Sequence, residues 1–145
     1  MVRGVKMKRL FLMLLSIYLL VACSNGATDS NAIDLQKLTQ VDYYSKDGEE
    51  LIIVEQEQLL ELAEILQAIP WQQSIKVQMS REEDGKLTLF VLEYKNMPER
   101  LYEWFLWFNQ QGSIEIVDRE KNAYAKLDIE RSSRFKKAIG LEEES

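Results

Sequence analysis

The sequence predicts an α+β domain: a mainly antiparallel sheet of about six or seven strands with two helices, one after the first hairpin and one C-terminal. Short runs of alternating apolar and polar residues, punctuated by Asp-Gly and Gln-Gly pairs, recur from residue 38 to residue 127, as expected of strands joined by tight antiparallel connections. Helical spacing of apolar residues occurs in two windows, 59–69 and 135–139. No internal repeat or second linker interrupts residues 35–141, a length that forms one core.

The first hairpin runs from Leu38 to Ser45, turns at Lys46-Asp47-Gly48 and returns over Glu50 to Val54, with Asp-Gly supplying the positive φ of a tight turn. In the helix that follows, Leu59, Leu62, Ala63, Leu66 and Ile69 form one stripe and Glu57, Glu61 and Glu64 the opposite side. Pro70 ends it, because the residue before a proline is pushed out of the helical region. Ile75, Val77 and Met79 alternate with Lys76, Gln78 and Ser80, the pattern of a strand with one wet face. Asp84-Gly85 then turns the chain. Lys86 to Tyr94 and Leu101 to Asn109 are strands joined through Asn96-Met97-Pro98. Gln111-Gly112 turns into Ser113 to Val117, and Ala123 to Leu127 follows. The last helix opens at Asp128 as N-cap, buries Phe135, Ala138 and Ile139, and closes at Gly140 with Lys136 and Lys137 favourably in its final turn. An acidic tail, 142–145, is expected to fray.

Ahead of this domain, Arg3, Lys6, Lys8 and Arg9 precede an apolar run from Leu10 to Ala22. The run is shorter than the roughly 20 residues that span a bilayer and matches a secretory signal. Met7-Lys8-Arg9-Leu10 would also make a signal start, so Met1 and Met7 both stand as translation starts. The run ends Leu20-Val21-Ala22-Cys23, which resembles the lipobox of bacterial lipoproteins. That resemblance implies cleavage before Cys23, a diacylglycerol on its thiol, and a place on the extracytoplasmic face of the cell membrane. Residues 1–22 are then the signal peptide and 23–34 the lipidated N-terminus and flexible tether. Two acyl chains anchor stably where one would be marginal.

The chain carries 18 basic and 24 acidic residues, but four of the bases and none of the acids precede Cys23. The mature chain is left with 14 against 24, a formal charge of −10. Such a chain lacks the basic footprint of nucleic-acid binding. With Cys23 lipidated, no thiol remains for disulfides or metal, and no cofactor is expected.

From about Asp42 to Leu141 the order of elements resembles the YhfM-like domain of small lipoproteins of Gram-positive bacteria. The likeness lies in Ile69-Pro70-Trp71, the strand around Lys76-Val77, Ile114-Glu115-Ile116-Val117-Asp118 and Tyr124-Ala125-Lys126-Leu127-Asp128. It implies anchoring but no activity, and it carries no site residue.

The chain has no histidine, which removes the commonest general base, the histidine-dependent nucleophile pairs and histidine-ligated zinc. Glu82-Glu83-Asp84 and Asp118 with Glu120 read as solvated turns rather than calcium loops, lacking the spaced oxygen array. There is no phosphate-binding glycine loop and no Gly-x-Ser-x-Gly. No catalytic or metal-binding residue is nominated, and a non-enzyme is expected.

In Leu101-Tyr-Glu-Trp-Phe-Leu-Trp-Phe-Asn109, alternation sets Tyr102, Trp104, Leu106 and Phe108 on one face and Leu101, Phe105 and Trp107 on the other. A central strand buried on both faces reads this way. If both helices cover the Trp107 face, Tyr102, Trp104 and Phe108 instead make a partner surface, which Trp71 would rim unless it plugs the core. The expected function is a membrane-anchored binding module for a protein or envelope component. A structural or regulatory accessory subunit of a membrane complex is the alternative, and a hydrolase comes third.

Overall fold

The computed structural model describes residues 32–141. The signal peptide, the lipobox Leu20 to Ala22 with Cys23, the tether up to residue 31 and the tail 142–145 lie outside the described residues. From Asp34 onward the chain forms one compact unit.

Six strands form one antiparallel sheet: β1 (Leu38–Ser45), β2 (Glu50–Ile53), β3 (Gly85–Val91), β4 (Arg100–Phe108), β5 (Ile114–Asp118) and β6 (Ala123–Leu127). Their order is β2-β1-β3-β4-β5-β6. A single 3-10 turn, Leu35–Lys37, leads into β1. Helix α1 (Gln56–Gln67) follows the first hairpin and helix α2 (Ile129–Ala138) is C-terminal, so the α+β architecture is the one expected.

Register sorts the side chains. Leu87 faces Trp104, Leu89 faces Tyr102, Val41 faces Leu89, Leu106 faces Ile116 and Ile114 faces Leu127. All of these are buried, and both helices pack on their side of the sheet. Leu59, Leu62, Ala63 and Leu66 of α1 are buried while Glu57, Glu61 and Glu64 stay outside. In α2, Asp128 caps the first turn by accepting from the Arg131 N–H at 2.8 Å. Gly140 closes the helix at φ +87°, a left-handed conformation that glycine adopts freely. Ser132, fully buried, accepts from the Ile114 N–H and donates to the Leu127 carbonyl. It thereby ties the helix to β5 and β6.

Two expectations fail between α1 and β3. Ile75, Val77 and Met79 form no strand. Gln72 makes a single bridge to Tyr124 of β6, and the Ile75 N–H bonds the Asn122 carbonyl. Ser74 then takes φ +59°, which breaks an extended path. The chain instead rounds the β6 edge and crosses the other face of the sheet as an irregular strap, where the Arg81 carbonyl accepts from Trp107 Nε1 at 3.0 Å. Nor does Gly85 make a turn: it is the first residue of β3, pressed against the Tyr43 ring. A Cβ there would lie 2.5 Å from Tyr43 Cε2.

Candidate functional site

The aromatic surface proposed from the sequence is not a surface. Tyr102 and Trp104 are 4% and 2% exposed, on the face that the helices cover. The two faces of β4 are thus the reverse of the partner-surface reading. Tyr102 donates to Glu93 Oε1 at 2.5 Å, and burial together with that bond pushes its hydroxyl up to about 12. Trp104 Nε1 donates to Asp118 Oδ2 at 3.2 Å. Asp118 also accepts from the Lys121 N–H at 2.9 Å, so it is a buried, fully engaged carboxylate rather than a solvated turn residue. Trp71, half-buried, sets its ring edge-on to Trp104 with centroids 5.0 Å apart. It plugs the core where α1 ends. Phe108 sits at the far end of β4, half-buried between Tyr43 and Lys136.

Every buried side-chain nitrogen and oxygen among the described residues has a hydrogen-bond partner. The core therefore holds no idle polar group for chemistry, and a site must be sought at the surface. An open concavity lies on the second face of the sheet, between the strap and strands β4 and β5; a larger one, about 620 Å³, lies between residues 110–112 and helix α2 but has no aromatic floor. The first is a shallow depression of about 480 Å³, with Trp107 and Val117 as its floor, Val77 and Met79 on the strap side, and Arg81, Glu83 and Arg119 among the charges at its rim. Arg119 bonds Glu83 at 3.1 Å and stacks its guanidinium 3.7 Å from the centroid of Phe105. An apolar floor with a mixed-charge rim is the anatomy of a small recognition pocket. Met79 adds a side chain that can re-pack around a guest. Beside it, Glu115 accepts from Tyr124 at 2.6 Å and from Asn109 at 3.1 Å. The Tyr124 bond, then the Asn109 bond, hold Glu115 below the usual carboxylate range, while burial and Glu115 push Tyr124 up to about 12. No group of three or more metal-ligating side chains is found among the described residues. Sequence reading missed this groove because its two walls lie some thirty residues apart and neither carries a motif.

Asp84 pins the strap down. Its Oδ1 accepts from Arg81 at 2.7 Å and Lys46 at 3.1 Å, and its Oδ2 from the Phe108 N–H at 2.7 Å. The Arg81 bond foremost, then the Phe108 and Lys46 bonds, lower its carboxyl from 3.8 to about 2. A carboxyl with a depressed folded value stabilises the fold above its unfolded value, and the contribution is lost as pH falls through the folded one. Acid unfolding should therefore draw on Asp84 between about pH 4 and pH 2. Asp84→Asn should lower stability at pH 7 and flatten that limb of the curve, read as urea midpoints against pH. An unchanged acid limb would show that the carboxylate does not hold the strap.

No protein-family model matches the chain, and no curated protein matches its sequence. Among solved structures, a thioesterase-like protein from Clostridium sporogenes shares the fold, with a TM-score of 0.51 at 13% identity, over 71% of this chain and 94% of that one. The expectation of a non-enzyme is corrected by this likeness: it rested on missing motifs, and the architecture proves to be one that a thioesterase-like protein also adopts.

Proposed function

We propose that the chain is a lipoprotein held at the extracytoplasmic face of the cell membrane by acyl chains on Cys23, with a YhfM-like domain whose strap groove binds a segment of a protein partner. The observation that carries the binding reading is the groove itself: an apolar floor of Trp107 and Val117 under a rim of opposed charges from Arg81, Glu83 and Arg119. No helix among the described residues is long and apolar enough to cross a membrane, and the anchor reading rests on the basic flank, apolar run and lipobox of the sequence.

The test uses the full chain with a photo-crosslinking residue at Gln78, on the groove rim, or at Glu61, on the open side of α1. In intact membranes Gln78 should give a defined adduct that Arg119→Glu removes and Glu61 does not give. Identical products from both positions would defeat the groove. Fatty-acid labelling of the same samples should mark the wild type and not Cys23→Ala.

A second reading, hydrolysis of a thioester, is favoured by the shared fold. Glu115, bonded to Tyr124 and Asn109 beside the groove, is the carboxylate it would use. Release of free thiol from an acyl-thioester, lost in Glu115→Gln, would establish it; no release above buffer would dismiss it.

A further inference from the structure

The connection between β3 and β4 carries the most exposed large apolar side chain of the described residues, Tyr94 at 65%, together with Met97 at 60%, and Leu101 at 51% follows at the start of β4. Phe90, half-buried, pairs in register with Leu101, so one tip of the sheet gathers four apolar groups. The unit that starts at Asp34 enters the sheet at this same tip. The Leu92 N–H bonds the Lys37 carbonyl at 3.0 Å, Lys37 Nζ reaches the Glu93 carbonyl at 3.3 Å, and Leu38 pairs with Val91.

Ten residues, 24–33, separate Cys23 from Asp34, and a flexible chain of that length would span roughly 16–19 Å in the mean. The other end of β1 lies about 24 Å further along the strand. An anchor at Cys23 would thus hold the 92–99 tip within reach of the bilayer and keep the opposite end away. Charge divides the same way. Around the tip, Lys37, Lys95 and Arg100 balance Asp34, Glu93 and Glu99. At the opposite end, Asp47, Glu49, Glu50, Glu82, Glu83 and Asp84 outnumber Lys46, Arg81, Lys86, Lys136 and Lys137 by one. An anionic leaflet therefore disfavours the second end slightly and does not repel the first.

We infer that Tyr94, Met97 and Leu101 insert into the headgroup layer of the bilayer that holds Cys23, fixing the orientation of the domain on the membrane; this rests on the lipid-anchor reading. Tyrosine suits that depth, with an apolar ring and a wet hydroxyl. The groove on the second face then stands upright from the membrane rather than against it.

The test takes the full-length acylated protein, one copy per nanodisc of phosphatidylglycerol and phosphatidylcholine. An environment-sensitive fluorophore is placed at Met97→Cys or, at the opposite end, at Asp47→Cys. Acylated Cys23 leaves the new thiol as the one that reacts. The Met97 label should shift to the blue and lose most of its emission to spin-labelled lipids, while the Asp47 label does neither. Equal quenching at both sites, with fatty acid present on Cys23, would overturn the inference and leave the anchor standing. A blue shift without quenching would also overturn it, because the tip would then be covered by protein. Absence of fatty acid on Cys23 would overturn both.

Discussion

Trp104→Ala is expected to remove about 3–5 kcal/mol of folding stability, the cost of emptying a large aromatic site in a core. Trp104 is 2% exposed, flanked in register by Leu87 and stacked edge-on by Trp71. The substitution also strips Asp118, 4% exposed, of the indole N–H that it accepts, and a buried acceptor left short of a partner adds to the loss. A domain of this size has about 5–15 kcal/mol in all, so the variant should be close to unfolding. Leu101→Ala, on the same strand but 51% exposed, should change little. Urea midpoints for the two variants decide it: if they coincide, the helices do not cover the Trp104 face.

Leu62→Ala and Leu66→Ala should each cost about 2–5 kcal/mol. Both lie in the middle of the α1 stripe at 0% and 1% exposure, where the helix presses on the sheet and neighbouring groups have little room to collapse into the void. Glu61→Ala, one residue away and exposed, removes no packing and should melt within a degree or two of the wild type. Equal melting temperatures for Leu62→Ala and Glu61→Ala would mean that α1 presents another face.

These two expectations mark how far the sequence could be read. The stripe of α1, the capped α2 and the hairpins at Gly48 and Gly112 are each determined by neighbours in the chain, and each forms where the pattern puts it. Ile75, Val77 and Met79 show the same alternation without the outcome, because a strand needs a partner along its whole length and β6 offers the strap a single bridge. Which face of β4 the helices would take was not legible at all. Tyr102, Trp104 and Leu106 on one side and Phe105 and Trp107 on the other are equally apolar, and alternation assigns residues to faces without saying what covers each face. The groove was invisible for a related reason: Val117 and Arg119 meet Met79 and Arg81 only once the strap has crossed the sheet.

The contact between Gly85 and Tyr43 has a consequence for substitution. The missing Cβ and the aromatic ring occupy one shared volume, although the two residues stand forty-two positions apart. Position 85 cannot then enlarge alone: a larger residue there requires a smaller one at 43, so the order in which the two change is constrained.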